Sequence, residues 1–173
     1  MPSPEAADAG ASTTATVVRE LINRGLTIAV AESLTGGLLT AELTSVPGAS
    51  AVVLGGAVVY ATELKHTLIG VDPDLLAEVG PVHPEVARQL ADGVRSRLAV
   101  DGRPADLGLS TTGVAGPDPQ GGRAVGTVFV GVSSVNGTRA VELELSGDRD
   151  VIRRRTVVEA VRALASELGI TIV

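Results

Sequence analysis

The spacing of apolar residues divides the chain into helical and strand-like segments. Over residues 13–24 the apolar positions recur every three or four residues, which predicts an amphipathic helix, and Gly25 suits its C-terminal end. Residues 26–31 form an uninterrupted apolar run, which is typical of a strand buried on both faces. A second helix is predicted over residues 35–45.

The same alternation continues up to an antiparallel hairpin, whose turn is Asn136-Gly137. This order predicts an α/β fold: one three-layer α/β/α domain with a mixed β-sheet, over residues 13–173. Residues 1–12 are rich in Ala, Ser, Pro, Gly and acidic side chains and are predicted to be a disordered tail. The remaining predicted elements are a strand over 51–60, helices over 61–69, from Pro73 and over 84–98, a strand over 105–111, hairpin strands over 125–133 and 139–145, a helix over 148–168 and a terminal strand over 170–173.

Composition narrows the classes of function. The chain is 45% hydrophobic but only 1% aromatic, so the core must be aliphatic and platforms for stacking bases are scarce. The net charge of -6 gives no basic footprint for nucleic acid, which is therefore not an expected partner. There is no Cys, which excludes thiolate catalysis, and the two His argue against a metal site. No apolar run has the length of a membrane span and the N-terminus does not resemble a signal, so a cytoplasmic protein without a membrane partner is predicted.

Nearly all of the cationic residues are arginine: 13 are Arg and only one, Lys65, is Lys. Arg keeps its proton near neutral pH, whereas a desolvated Lys can release it and act as a base. Composition leaves two interpretations open, a chemical role and an incidental surface residue. Tyr60, the single Tyr, stands five residues earlier at a predicted strand end. A base with a phenol beside it is therefore one interpretation, and a solvated Lys on a helix is the other.

Ser33 stands where the first predicted strand gives way to a helix, and Thr35, Gly36 and Gly37 follow it. At such a junction a hydroxyl lies at the edge of the sheet, and the free N–H groups of the first helical turn can hold an anion or a developing oxyanion. The alternative is structural: hydroxyl side chains that cap the helix and glycines that allow tight packing.

Two further segments carry candidate ligand-binding residues. Thr111, Thr112 and Gly113 end the third predicted strand, and ligands of open α/β sheets bind at such carboxyl ends. A glycine-rich surface loop is the alternative for the segment that follows. Arg149 and Arg153 share one face of the last helix, where they can clamp a phosphate or form surface ion pairs. The three strand ends are expected to converge.

These motifs, in this order, resemble the family of C-terminal domains of the competence-damage-inducible protein CinA, which includes stand-alone nicotinamide-nucleotide amidases. The resemblance spans residues 14–168, and four motifs at matching spacing make it specific. The motifs are Ala31-Glu32-Ser33-x-Thr35-Gly36-Gly37; Gly55-Gly56 leading to Tyr60, Lys65 and Leu68-Ile69-Gly70-Val71; Gly113-Val114-Ala115-Gly116-Pro117; and Val125-Gly126-Thr127-Val128.

The resemblance implies an amidohydrolase that converts nicotinamide mononucleotide into nicotinate mononucleotide and ammonia, without a metal or cofactor. It implies that Ser33 attacks the amide carbon, that Lys65 takes the Ser33 proton and that Tyr60 assists this transfer. It further implies an oxyanion site on the backbone of residues 35–37, a contact from Thr112, a phosphate site at the arginines of the last helix, and a homodimer.

Two features depart from the usual family pattern, namely the loop over residues 118–124 and His83, and they concern substrate detail more than chemistry. A second interpretation is a non-catalytic nucleotide-binding module that acts through a partner in competence or the DNA-damage response. It predicts ligand binding without turnover that tolerates Lys65→Arg, whereas an amidase loses activity because Arg stays protonated. Direct DNA binding is a third interpretation, which the net charge and the scarcity of aromatics disfavour.

Overall fold

Five strands form one sheet in the order β2-β1-β3-β4-β5. The computed structural model describes the backbone of residues 4–172 and the side chains of residues 13–172. The strands are β1 (Ile28–Glu32), β2 (Val53–Val58), β3 (Leu107–Gly113), β4 (Thr127–Ser134) and β5 (Gly137–Glu144). The helices are α1 (Pro4–Arg24), α2 (Leu38–Thr44), α3 (Thr62–Leu64), α4 (Pro73–Val79), α5 (Pro84–Arg97) and α6 (Arg149–Glu167), with a 3-10 turn at Ala49–Ala51 and a π-helix at Lys65–Ile69 that continues α3.

The sheet is mixed. β1 lies parallel to both β2 and β3, whereas β4 is antiparallel to β3 and to β5. Helices cover both faces, because Ile28 and Val30 of β1 pack with α1, α2 and α6, while Ala29 and Ala31 pack with α5 and the π-helix. The predicted three-layer α/β/α architecture is therefore confirmed. The uninterrupted apolar run of β1 is explained by burial of both of its faces.

Small residues on one face of the sheet bring α5 close to it. A Cβ at Gly108 would overlap the carbonyl oxygen of Ala91, and one at Gly131 would overlap that of Ala87. Between them, Ser110 Oγ donates a hydrogen bond to the same Ala87 oxygen, at 2.7 Å. The glycines are therefore required by the close approach of the helix backbone.

Several element boundaries differ from the predictions. α1 begins at Pro4, ahead of its predicted start, so the backbone of residues 4–12 is helical where the sequence predicted a disordered tail, and residues 1–3 of that tail lie outside the described residues. α2 begins at Leu38 because residues 33–37 form a turn. The strand predicted over 170–173 is not formed over 170–172, and residue 173 lies outside the described residues. Within the described part of the chain, no helix combines the length and the apolar character that crossing a bilayer requires.

Candidate active site

The carboxyl ends of the three parallel strands meet at one edge of the sheet. A cavity of about 140 Å³ lies there, and residues that follow all three strands line it. Ser33 follows β1, Tyr60 follows β2, and Thr112 and Gly113 end β3. The predicted convergence of the strand ends is thus found in the fold, at the place where open α/β sheets bind ligands.

Ser33 and Lys65 both line this cavity and contact each other. Lys65 Nζ lies 3.2 Å from Ser33 Oγ, and it also donates to the backbone carbonyl of Val59, at 2.8 Å. Both residues are buried, with Ser33 8% and Lys65 1% exposed. A distance of 3.2 Å is within reach for transfer of a proton between the two side chains.

Burial changes the acid–base behaviour of Lys65. It lowers the pKa of the Lys65 ammonium to about 8, because the charged form loses its hydration. Lys65 begins the π-helix, a wide helical turn that is often found at functional sites. The neutral amine is therefore accessible near physiological pH, which an ordinary surface lysine does not offer.

The turn that carries Ser33 requires two glycines. Gly36 and Gly37 adopt φ angles of 60° and 100°, in the left-handed region that other residues rarely enter. Their N–H groups are already engaged, because Gly36 donates to the carbonyl of Ser33 and Gly37 donates to the carboxylate of Glu32. These contacts correct the expectation that Gly36 and Gly37 present N–H groups to a ligand.

Thr35 and Thr111 are both fully buried beside this turn. Their hydroxyl groups lie 2.7 Å apart and share a hydrogen bond. Neither residue lines the cavity. The structure therefore places these two candidate substrate contacts behind the site, where they join the turn to the end of β3.

Thr112 and Gly113 do line the cavity. The Thr112 hydroxyl donates to the carbonyl of Pro81, at 2.6 Å, so its proton is engaged. Val114 donates its N–H to Thr127 across the antiparallel pair, and because the direction of the N–H groups alternates, that of Gly113 points the other way, toward the end of β1. The N–H of Leu34 in the turn has no hydrogen bond to another described residue.

The two arginines expected to hold a phosphate are in different places. Arg149 lines the cavity and donates to the hydroxyl of Tyr60, at 2.9 Å, and to the carbonyl of Gly116, at 2.7 Å. Arg153 lies behind the turn, where it donates to the carbonyls of Leu34 and Thr35. The two therefore do not form one clamp as they stand.

Tyr60 also differs from the expectation. It lines the cavity but is 58% exposed, and its hydroxyl is engaged with Arg149 rather than with Lys65. His83, the other departure from the family pattern, caps α5: its Nδ1 accepts the N–H of Glu85.

Glu32 was missed by the sequence analysis. It is fully buried, and its carboxylate accepts hydrogen bonds from the N–H groups of Gly37, Leu39 and Thr40 and from the Thr40 hydroxyl. The signal in the sequence was an acidic residue at the end of a buried strand, because a buried carboxylate needs donors close by. The strand pattern alone does not say where those donors come from.

The fold and this edge define a three-layer α/β/α protein with a buried Ser–Lys pair at the carboxyl ends of parallel strands. The chain belongs to the CinA family, since residues 10–168 match the model of the CinA C-terminal domain.

Similar proteins agree with this assignment. The chain is 51% identical over 140 residues to a CinA-like protein of Frankia casuarinae, covering 81% of this chain and 31% of that protein. It is 49% identical over 140 residues to a putative competence-damage inducible protein of a Geobacillus species, covering 80% of this chain and 32% of that protein. The chain thus spans about a third of the length of these curated relatives.

Solved structures show the same fold. A CinA superfamily protein from Klebsiella pneumoniae superposes with a TM-score of 0.86 at 27% identity, covering 92% of this chain and 98% of that one. A competence/damage inducible protein from Agrobacterium tumefaciens superposes with a TM-score of 0.85 at 30% identity, covering 93% and 96% of the two chains.

Proposed function

We propose that this chain is an amidohydrolase that removes the carboxamide nitrogen of nicotinamide mononucleotide, with Ser33 as nucleophile and Lys65 as base. The observation that supports this most is the 3.2 Å separation of Lys65 Nζ and Ser33 Oγ inside the cavity. The lowered pKa of Lys65, about 8, supports it further, because a base must be free of its proton to act. The identity of the substrate rests on the family resemblance.

The first half of the reaction forms an acyl-enzyme. Ser33 Oγ attacks the amide carbon, its proton passes to the neutral amine of Lys65, and a tetrahedral intermediate forms. The C–N bond then breaks, and the Lys65 ammonium returns the proton to the departing nitrogen. Ammonia leaves, and the pyridine carbonyl remains bound to Ser33 as an ester.

The second half releases the acid by the same groups. Lys65 takes a proton from a water molecule, whose oxygen attacks the ester carbon. The bond to Ser33 Oγ breaks, the proton passes from Lys65 to Ser33, and nicotinate mononucleotide leaves. One water is consumed and one ammonia is released, and Lys65 ends neutral as it began.

The negative oxygen of the tetrahedral intermediate needs donors beside Ser33. In this proposal they are the N–H groups of Leu34, in the turn after β1, and of Gly113, at the end of β3. Both residues line the cavity; the N–H of Leu34 has no hydrogen bond to another described residue, and the N–H of Gly113 points away from β4. Backbone donors fixed at the ends of two strands stabilise an oxyanion without reorganisation. Arg149, at the cavity, then meets the phosphate after releasing Tyr60 or Gly116.

The proposal is tested by release of ammonia from nicotinamide mononucleotide. Wild type is expected to turn over, and Ser33→Ala and Lys65→Arg to lose at least about a thousandfold in kcat/KM, because one lacks the nucleophile and the other stays protonated. Circular dichroism of both variants checks that they fold. Binding of the mononucleotide without turnover, unchanged in Lys65→Arg, would instead favour a non-catalytic nucleotide-binding module.

The rate should also follow the ionisation of Lys65. Below pH 8 the fraction of Lys65 in the neutral form falls about tenfold for each unit by which the pH is lowered. We therefore expect kcat/KM to rise with pH and to level off above a midpoint near 8. A profile that is flat from pH 6 to 9 would contradict Lys65 as the base.

A further inference from the structure

Two opposite charges hold the turn that presents Ser33. Glu32 precedes this turn in the chain and Arg153 reaches it from α6. Neither side chain lines the cavity, so neither contacts a ligand there. Both side chains form hydrogen bonds with the backbone of the segment that follows Ser33.

Glu32 holds the side of the turn that leads into α2. Its carboxylate accepts the N–H of Gly37 at 2.9 Å, of Leu39 at 3.1 Å and of Thr40 at 2.8 Å, together with the Thr40 hydroxyl at 2.6 Å. The first donors of α2 are therefore bound within the protein. Gly56 on the neighbouring strand makes this possible, because a Cβ there would overlap the Thr40 hydroxyl.

Arg153 holds the opposite side of the same turn. Its Nε donates to the carbonyl of Leu34 and its Nη2 to the carbonyl of Thr35, both at 2.9 Å. The planar guanidinium suits two adjacent acceptors, which an ammonium cannot bind in the same way. A Cβ at Gly36 would lie 3.2 Å from Nη2, so the guanidinium packs directly on the turn.

We propose that Glu32 and Arg153 are positioning residues, which together fix the Ser33 turn so that its hydroxyl stays within reach of Lys65. The carboxylate binds the donors of the turn and the guanidinium binds its acceptors, so the backbone is held from both sides. Arg153 thereby takes a role different from the phosphate contact expected from the sequence. The 3.2 Å separation is long for a hydrogen bond, and a small shift of the turn breaks it.

Lys65 provides a direct readout, because it is the only lysine. Protein made with isotope-labelled lysine gives a single side-chain NMR signal, whose chemical shift reports the contact of Nζ with Ser33. We expect Glu32→Gln and Arg153→Met to move the chemical shift of this signal toward its value in Ser33→Ala. Thr40→Val, which removes one donor to Glu32, is a milder variant in case Glu32→Gln fails to fold.

Arg154→Met is the matched control, because Arg154 is an exposed neighbour on the same helix that pairs with Asp150. It should leave the lysine signal at its wild-type position. If folded Glu32→Gln (or Thr40→Val) and Arg153→Met also keep the wild-type chemical shift, the positioning role is overturned. This NMR measurement needs no substrate, so it tests the positioning role even if the wild type shows no amidase activity.

A kinetic arm, which rests on the proposed function, separates positioning from phosphate binding. Positioning by Arg153 predicts that Arg153→Met lowers kcat by about 10- to 100-fold with KM little changed, on the mononucleotide and on its phosphate-free riboside alike. A rise in KM confined to the mononucleotide would assign Arg153 to the phosphate and overturn its positioning role.

Discussion

At the scale of single residues, the low pKa of the only lysine results from the burial of its ammonium group. Lys65 Nζ has one backbone acceptor, Val59, and one hydroxyl neighbour, Ser33. Its lowered pKa has desolvation as its cause. Arg would not serve in this position, because its pKa lies too far above neutrality for burial at this depth to free its proton.

Tyr60 gives a prediction at this scale, because its hydroxyl bonds to Arg149 and its ring is largely exposed. Tyr60→Phe should change KM for the mononucleotide by less than about tenfold, the effect of one hydrogen bond of about 1 kcal/mol. The midpoint of the pH–rate profile should stay where Lys65 sets it. Steady-state kinetics from pH 6 to 9 measure both quantities. A hundredfold loss of kcat or a moved midpoint would show that the phenol takes part in proton transfer.

At the scale of elements, the sequence predicted the order of helices and strands but not the contacts between them. Apolar spacing was enough for β1, the hairpin and α5, because those patterns report burial of a face directly. The start of α2 was placed three residues early, because the turn before it depends on two left-handed glycines and on Glu32. Thr111 and Thr112 were both predicted to contact a ligand, but only Thr112 lines the cavity. The reason is that adjacent residues of a strand point to opposite faces of the sheet.

The pair Gly55 and Gly56 on β2 offers a matched test of these contacts. A Cβ at Gly56 would overlap the Thr40 hydroxyl, whereas one at Gly55 would meet only Leu98 Cδ1, at an ordinary 3.7 Å. Gly56→Ala should therefore lower the free energy of unfolding by about 1–3 kcal/mol, as overpacking does. Gly55→Ala should be close to neutral. Urea unfolding of the two variants measures the difference.

A double variant identifies the cause. If the Gly56→Ala cost arises from displaced Thr40, then it should shrink in a Thr40→Ala background, where the clashing hydroxyl is gone. Equal costs in both backgrounds, or equal destabilisation by Gly55→Ala and Gly56→Ala, would contradict this explanation.

At the scale of the whole molecule, the sheet joins residues that the sequence keeps apart. Ser33 and Lys65 are separated by 32 positions, and their contact depends on β1 and β2 being parallel neighbours. The sequence predicted that the strand ends converge, since parallel strands with helical crossovers end at one edge. It does not predict the distance between Nζ and Oγ, which results from the π-helix and from the packing of α5 against it.

The buried lysine also has a consequence for global stability. In the unfolded chain the pKa of Lys65 is about 10.4, and in the folded protein it is about 8. Between these values the unfolded state binds more protons than the folded state, so the free energy of unfolding rises with pH. Below pH 8 both states are protonated and the full cost of burying the charge, about 3 kcal/mol, is present. Above pH 10.4 both are neutral and that cost is gone.

Lys65→Met isolates this term, because methionine fills similar space without a titrating group. The variant also loses the hydrogen bond to the carbonyl of Val59. The part of that bond that depends on protonation is contained in the folded pKa of Lys65, and the rest is a constant offset. Measured by urea unfolding, the stability of wild type relative to Lys65→Met should be constant from pH 6 to 7 and then rise by up to about 3 kcal/mol between pH 8 and 10.4. Arg154→Met, which leaves Lys65 in place, should follow the wild type across this range. A difference between wild type and Lys65→Met that stays level over the whole range would mean that Lys65 titrates as an ordinary lysine, and the base proposed for Ser33 would then lose the support of a lowered pKa.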